Sequence, residues 1–307
     1  VPPDPVVPGP GPGPSPAPDD RGGATTAGGE DRAPDAAVLV ARLAAARARV
    51  AEAERAAGRP AGSVRLLLAT KTVPVERLRA VLDADRAATG GPGAPAPVLL
   101  GENRVQELVA KAPALGPGPE WHVIGPLQSN KVNAALRWAA CVESVADEDL
   151  ADRLARRCEA TGRTLDVLVQ VNVSGEATKH GVAPGDALAL ARHVAGLAPL
   201  RLRGLMTVGA RSDDPAVVRA GYARLRALRD AVLGSGLPGT GAAHELSMGM
   251  SGDLEAAVLE GATVVRLGTA VFGARPAPGS VPQPVTDPVT DPDTRPVTAP
   301  GTSTPGR

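Results

Sequence analysis

Arg65-Leu66-Leu67-Leu68-Ala69-Thr70-Lys71-Thr72-Val73-Pro74 is the stretch that decides how this chain is read. Its Leu-Leu-Leu-Ala run is apolar on both faces, the pattern of a strand buried in a parallel sheet. Pro74, followed by Val75, Leu78, Val81 and Leu82, predicts a helix that opens with proline in its first turn. Lys71 therefore stands at the carboxyl end of a strand, where the next helix begins. In an α/β barrel that rim carries the active site. An amine held there, partly shielded from water, can form a Schiff base with a carbonyl compound. The alternative is a strand-end charge that reaches water along its own aliphatic stem.

The other basic residues sharpen this choice. The chain holds 33 lysines and arginines, and four of them are lysines: Lys71, Lys111, Lys131 and Lys179. Arginine stays protonated and delocalised, so it cannot replace lysine in imine chemistry. A chain that otherwise prefers arginine keeps lysine where the amine itself is needed. Lys111 reads as a surface charge on an exposed helix face.

With 307 residues, 43% hydrophobic and 21% charged, the composition is that of a globular protein. The formal net charge is zero, which argues against a nucleic-acid or anionic-membrane surface. Aromatic residues make up 1%, so the core is expected to be Ala, Val and Leu, without the rings that single-stranded nucleic acids stack on. Cys141 and Cys158 fall in an expected strand and an expected helix, without metal-ligand spacing. Free buried thiols in a reducing cytoplasm are the expectation. No apolar run reaches the length of a membrane span, and Val1-Pro2-Pro3-Asp4 lacks the basic-then-apolar pattern of a leader.

Residues 1–34 are dominated by Pro, Gly, Ala and Asp and are expected to be disordered. Residues 276–307, with Pro-Val-Thr-Asp repeated at Pro284 and Pro288, carry the same expectation. Between them, 35–275 has the size of one (β/α)₈ barrel. A leading helix is expected at 36–57, and strands at 65–70, 98–101, 121–125, 141–145, 166–173, 203–207, 245–247 and 264–267. Helical patterns at 148–161, 187–197 and 217–233 separate several of them. Such alternation implies a parallel sheet with right-handed crossovers. Eight units after a leading helix favour a closed TIM barrel. An open doubly wound sheet is the alternative, but no Gly-x-Gly-x-x-Gly follows the first strand.

Polar clusters follow these strands. They include Gly101-Glu102-Asn103, His122 to Lys131, Asn172-Val173-Ser174, Lys179-His180-Gly181, Met206-Thr207, Ser247-Met248-Gly249-Met250-Ser251-Gly252-Asp253 and Arg266-Leu267-Gly268-Thr269. Barrels commonly bind phosphate between the loops after strands seven and eight, where free backbone N–H groups favour an anion. Ser247 and Ser251 offer hydroxyls there, Gly249 and Gly252 allow close approach, and Gly268-Thr269 repeats the combination. Ser251-Gly252-Asp253 also reads as a plain helix cap. A Schiff-base lysine on strand one and a phosphate cup at strands seven and eight suggest pyridoxal 5′-phosphate. Arg266 would then lie beside the pyridine nitrogen and keep it unprotonated, which weakens the electron sink. An ion pair at the barrel rim is the other reading of Arg266.

Taken together, Lys71-Thr72, Gly101-Glu102-Asn103, His122-Val-Ile-Gly-Pro-Leu-Gln-Ser-Asn-Lys131, Ser247-Met-Gly-Met-Ser251 and Arg266-Leu-Gly-Thr269 resemble the YggS/PROSC family of pyridoxal-phosphate-binding proteins. The resemblance spans about residues 36 to 275. It implies the fold of the alanine racemase N-terminal barrel, fold type III. It implies that Lys71 carries the cofactor, that Ser247, Gly268 and Thr269 hold its phosphate, and that Arg266 faces its ring nitrogen. It places Asn103 and Met206 near the cofactor, and leaves His122 open between a cofactor contact and an inward structural histidine. Lys131 and Lys179, also in family motifs, are candidates for relaying the cofactor, with solvated loop charges as the alternative.

The expected function is a cytoplasmic, monomeric carrier that buffers pyridoxal phosphate and supplies it to apoenzymes, without robust amino-acid enzyme activity. A racemase or related fold type III enzyme is the alternative, and a lysine aldolase acting on sugar phosphates is a third. Racemisation needs acid–base groups on both faces of the cofactor. The resemblance implies that alanine racemase takes the second from a tyrosine of another domain. Here the lone tyrosine, Tyr222, falls in a helical stretch expected in the outer layer.

Overall fold

The computed structural model describes residues 35–274, except 90, 92 and 93. The tails expected to be disordered, 1–34 and 276–307, lie outside the described residues. In chain order the elements are α1 Ala36–Ala56, β1 Arg65–Ala69, α2 Val75–Thr89, β2 Leu99–Glu102, α3 Val105–Leu115, β3 Glu120–Val123, α4 Val132–Leu136, β4 Ala139–Val145, α5 Glu148–Ala160, β5 Leu165–Gln170, α6 Ala187–Ala195, β6 Leu200–Met206, α7 Pro215–Gly234, β7 Glu245–Ser247, α8 Leu254–Leu259, β8 Val264–Leu267 and α9 Thr269–Phe272.

All eight strands pair in parallel and in sequence order, and β8 returns to β1 to close the barrel. The open-sheet alternative is thereby excluded. Closure rests on the register Arg65↔Val264, Leu66↔Val265, Leu67↔Arg266 and Leu68↔Leu267. Helix α1 covers this region from outside, packing on α2, α8 and α9. Its Arg49 makes a two-pronged ion pair with Glu255 at 2.6 and 2.7 Å and donates to the Ser251 carbonyl at 2.7 Å. The first helix therefore braces the loop after β7.

Strand alternation divides the apolar residues into two bodies. Outward-facing Leu66, Leu68, Leu100, Val265 and Leu267 join the helices in the main core. Inward-facing Leu67, Leu99 and Val264 form one plug inside the barrel, and Cys141, Leu168 and Met206 form another. Both cysteines are buried and free, Cys141 inside the barrel and Cys158 on the buried face of α5.

The rest of the interior is polar and connected. Arg65 donates to Glu120 at 2.8 Å. His122 meets Glu120 at 3.1 Å through Nε2 and Glu143 at 2.6 Å through Nδ1. Glu143 accepts from the Ser247 hydroxyl at 2.5 Å, and that hydroxyl accepts from Arg266 at 2.8 Å. Arg266 also donates to the Thr207 carbonyl at 2.7 Å. His122 is thus the inward structural histidine. Two carboxylates, one on each ring nitrogen, require both nitrogens to donate, which is the imidazolium form. Burial opposes that charge, but the hydrogen bonds and charges of Glu120 and Glu143 outweigh it and push the His122 pKa from 6.5 to about 9. Its hydrogen bond to His122 holds Glu120 down at about 2, against a burial effect that would raise it. Burial would likewise raise the Glu143 carboxyl, yet His122 and Arg266 hold it below its ordinary value.

These shifts fix a pH window. A raised histidine pKa stabilises the fold fully below pH 6.5, and the contribution is lost as pH rises towards 9. A depressed glutamate stabilises it above pH 4.5, and the contribution is lost as pH falls towards 2. Melting temperature measured against pH is therefore expected to peak between these limits and to fall on the alkaline side. His122→Gln removes one partner of a buried pair, so it should cost roughly 3–5 kcal/mol near neutrality and flatten the alkaline fall. An unchanged alkaline slope in the variant would show that His122 is neutral in the fold.

Candidate functional site

A cavity of about 440 Å³ opens at the carboxyl ends of the strands. Ala69, Lys71, Thr72, Val73 and Arg77 supply one wall, and Asn103, Ile124 and Val208 come from the loops after β2, β3 and β6. Met250, Ser251 and Gly252 approach from the loop after β7, with Arg266, Gly268, Thr269 and Phe272 from β8 onward.

Lys71 enters this cavity because it continues the inward alternation of Leu67 and Ala69. Among the described residues its amine has neither an ion pair nor a hydrogen-bond acceptor in the chain. Lys71 is half-buried in a cavity wall. The next residue, Thr72, has φ of 63°, the one positive φ among the described non-glycine residues. For a β-branched side chain this left-handed conformation is an outlier that costs on the order of 1–3 kcal/mol.

The strained turn is held from behind by Lys111. Its ammonium donates to the Thr70 carbonyl at 2.8 Å, to Glu102 at 2.6 Å and to Glu107 at 2.8 Å. Glu107 in turn accepts the Thr72 N–H at 2.7 Å. The expectation that Lys111 is a surface charge is therefore corrected: it is 8% exposed. A lysine can be buried so deeply because two carboxylates and a carbonyl use its three donors.

The opposite wall is rich in backbone donors. Gly249, with φ of 92°, turns the chain after Met248, and its carbonyl accepts the Arg266 N–H at 3.0 Å. Asp253 closes the same loop by accepting the Met250 N–H at 2.6 Å and the Tyr222 hydroxyl at 2.7 Å. Among the described residues, the N–H groups of Ser251, Gly252 and Gly268 find no acceptor in the chain. Such a set of unused donors suits a phosphate or carboxylate.

Of the cofactor contacts that the resemblance implies, Lys71, Asn103, Arg266, Gly268 and Thr269 line this one cavity. Ser247 and Met206 do not line it. Both are fully buried one level deeper, Ser247 between Glu143 and Arg266, and Met206 in an interior apolar plug. Lys131 and Lys179 also lie off the cavity lining, and the Lys179 amine is tied to Glu176 at 2.7 Å and the Gly209 carbonyl at 2.8 Å. Tyr222 belongs to outer helix α7 as expected, yet it is fully buried, and burial pushes its phenol pKa up. Arg77, Ser251 and Gly252 join the lining. Ser251 and Gly252 were legible in the loop after β7, whereas Arg77 lies within a helical repeat that carries no signal of its own.

Residues 93–276 match the family described as the alanine racemase N-terminal domain. The pyridoxal phosphate homeostasis protein of Pseudomonas aeruginosa is 43% identical over 239 residues, or 77% of this chain and 96% of that protein. A crystal structure of an unknown protein from Bifidobacterium adolescentis is similar with a TM-score of 0.71 and 42% identity, covering 77% of this chain and 95% of that one. PipY of Synechococcus elongatus, in a structure with PLP bound, gives a TM-score of 0.63 and 32% identity, covering 76% of this chain and all of that one. By these matches the chain belongs to the pyridoxal phosphate homeostasis protein family, built on the alanine racemase N-terminal domain.

Proposed function

We propose that this chain binds pyridoxal 5′-phosphate at the barrel mouth, buffers it, and supplies it to apoenzymes that depend on it. One observation carries the reading: among the described residues, a lysine amine without a partner and a set of unused backbone donors line the same cavity. Pyridoxal phosphate supplies the matching groups, an aldehyde that condenses with a primary amine by loss of water, and a phosphate. PipY, 32% identical, has been crystallised with PLP.

In this reading Lys71 holds the aldehyde end. Gly268, Thr269, Ser251 and Gly252 hold the phosphate through N–H groups and hydroxyls. Ser247 acts one step back, by fixing Arg266. Arg266 is the donor to the ring nitrogen, and as a permanent cation it leaves that nitrogen unprotonated. Its own donors to Ser247 and Thr207 hold its plane in place. Asn103 packs at the side of the ring, and Met206 supports the floor through the apolar plug.

The carrier role, rather than an enzymatic one, is supported by what else lines the cavity. Among the described lining residues the ionisable side chains are Lys71, Arg77 and Arg266. A racemase needs a second acid–base group opposite the lysine. Tyr222 is committed to Asp253. Among the described residues, no helix is long and apolar enough to cross a membrane. We place the chain in the cytoplasm as a monomer, where its two free thiols stay reduced.

Addition of pyridoxal phosphate to the purified chain is expected to produce a visible absorption band that free cofactor lacks, and Lys71→Ala should abolish it. Thr269→Val should weaken pyridoxal phosphate about tenfold, the effect of one charge-assisted hydrogen bond. The same variant should leave binding of pyridoxal, which has no phosphate, unchanged. A parent protein without the band would move a lysine aldolase to the front. Equal loss for both ligands in Thr269→Val would place the phosphate elsewhere.

A further inference from the structure

Lys71 is flanked by two peptide groups, and side chains from one helix hold both of them. The Thr70 carbonyl belongs to the peptide before Lys71, and it accepts from the Lys111 ammonium at 2.8 Å. The Thr72 N–H belongs to the peptide after Lys71, and it donates to Glu107 at 2.7 Å. Glu107 and Lys111 are four residues apart on α3 and are themselves paired at 2.8 Å. Fixing both peptide planes fixes φ and ψ of Lys71, and with them the direction in which its side chain leaves the strand.

The same contacts hold a conformation that the local sequence disfavours. Thr70 accepts the Val73 N–H at 2.9 Å, which closes a turn with Lys71 and Thr72 in the middle. Positive φ at the third position of such a turn is a place for glycine. Threonine occupies it here, with φ of 63°. Backbone of this kind persists where surrounding contacts over-determine it. Glu102 completes the cluster by accepting from Lys111 and from the Thr70 hydroxyl, each at 2.6 Å. Burial raises the Glu102 carboxyl; burial would raise Glu107 too, but Lys111 and the Thr72 N–H bring it below its ordinary value. Glu107, held below its ordinary value, is the carboxylate that both pairs with Lys111 and grips Thr72.

We infer that Lys111, acting through Glu107 and the Thr70 carbonyl, is a positioning residue that aims the Lys71 amine into the cavity. The inference rests on the proposed role of Lys71 as cofactor anchor. Lys111 touches neither the cavity nor a ligand. It acts by making the strained turn the low-energy state of the backbone, so that the amine is aligned before anything binds.

Two readouts test this in the full-length chain. The first is hydrogen exchange at the Thr72 amide without cofactor, which Lys111→Met should accelerate while the barrel's other amides stay protected. The second is the rate at which the visible band grows after pyridoxal phosphate is added. Lys111→Met should slow it about tenfold, and adding Thr72→Gly should restore it to within about threefold, because glycine adopts positive φ without strain. A general loss of stability would not be rescued by glycine at that one position. If Lys111→Met does not fold, Glu107→Gln, at a half-exposed site, is expected to change both readouts in the same direction. Parent-like exchange at Thr72, a parent-like rate, or a double variant as slow as the single one would each overturn the inference. A parent chain that binds cofactor without any visible band would instead overturn the role of Lys71.

Discussion

The hydrogen-bonded seam between β1 and β8 is the constraint from which the site follows. Lys71 and Thr269 are nearly 200 residues apart, and were this sequential strand order left unclosed, their strands would lie on opposite edges. Closure sets Leu67 beside Arg266 and Leu68 beside Leu267, so the segments that follow both strands emerge side by side. The amine of one segment and the Gly268-Thr269 backbone of the other then line one cavity. Helix α1 protects this geometry from outside, since Arg49 is bound both to Glu255 and to the carbonyl of Ser251 in the cavity wall. A leading helix that would otherwise be an appendage thus becomes part of the frame.

The polar interior places a second requirement on the barrel. A line of charges from Arg65 through Glu120, His122 and Glu143 ends at Ser247 and Arg266, just under the cavity. Burying such a line does not by itself favour folding, because desolvation offsets most of the attraction. Its value is directional. With both ring nitrogens of His122 donating, Glu143 is left to accept from Ser247, and Arg266 has a single orientation that satisfies its neighbours. The apolar plugs around Leu67 and Met206 exclude water from the same space and keep those interactions strong.

Much of this was legible in the sequence. The eight strands, their order and the leading helix follow from short apolar runs alternating with helical stripes, and the barrel follows from their number. Boundaries moved where alternation was hidden. β6 begins at Leu200, three residues before the expected start, because Arg201 and Arg203 alternate with Leu200 and Leu202 and mask the strand. β5 stops at Gln170, although Val171 still bridges to Val182. The loops after β7 and β8 announced their donors through Gly and Ser. Lys111 reads as a surface charge because a helical lysine is exposed by default. Its spacing from Leu108 and Ala112 does put it beside the buried stripe, but its partners Glu102 and Thr70 come from two other strand ends and meet it through the fold alone. Ser247 and Met206 were placed on the right strands; how far below the mouth they sit depends on strand register, which no local pattern encodes.

The most direct test of the central claim is where the cofactor attaches. Pyridoxal phosphate is bound to the purified chain, the bond is reduced with borohydride, and the digested protein is mapped by mass spectrometry. The added mass is expected on the peptide containing Lys71, with Lys111, Lys131 and Lys179 unlabelled. Label on another lysine, or spread evenly among the four, would contradict a site built around Lys71.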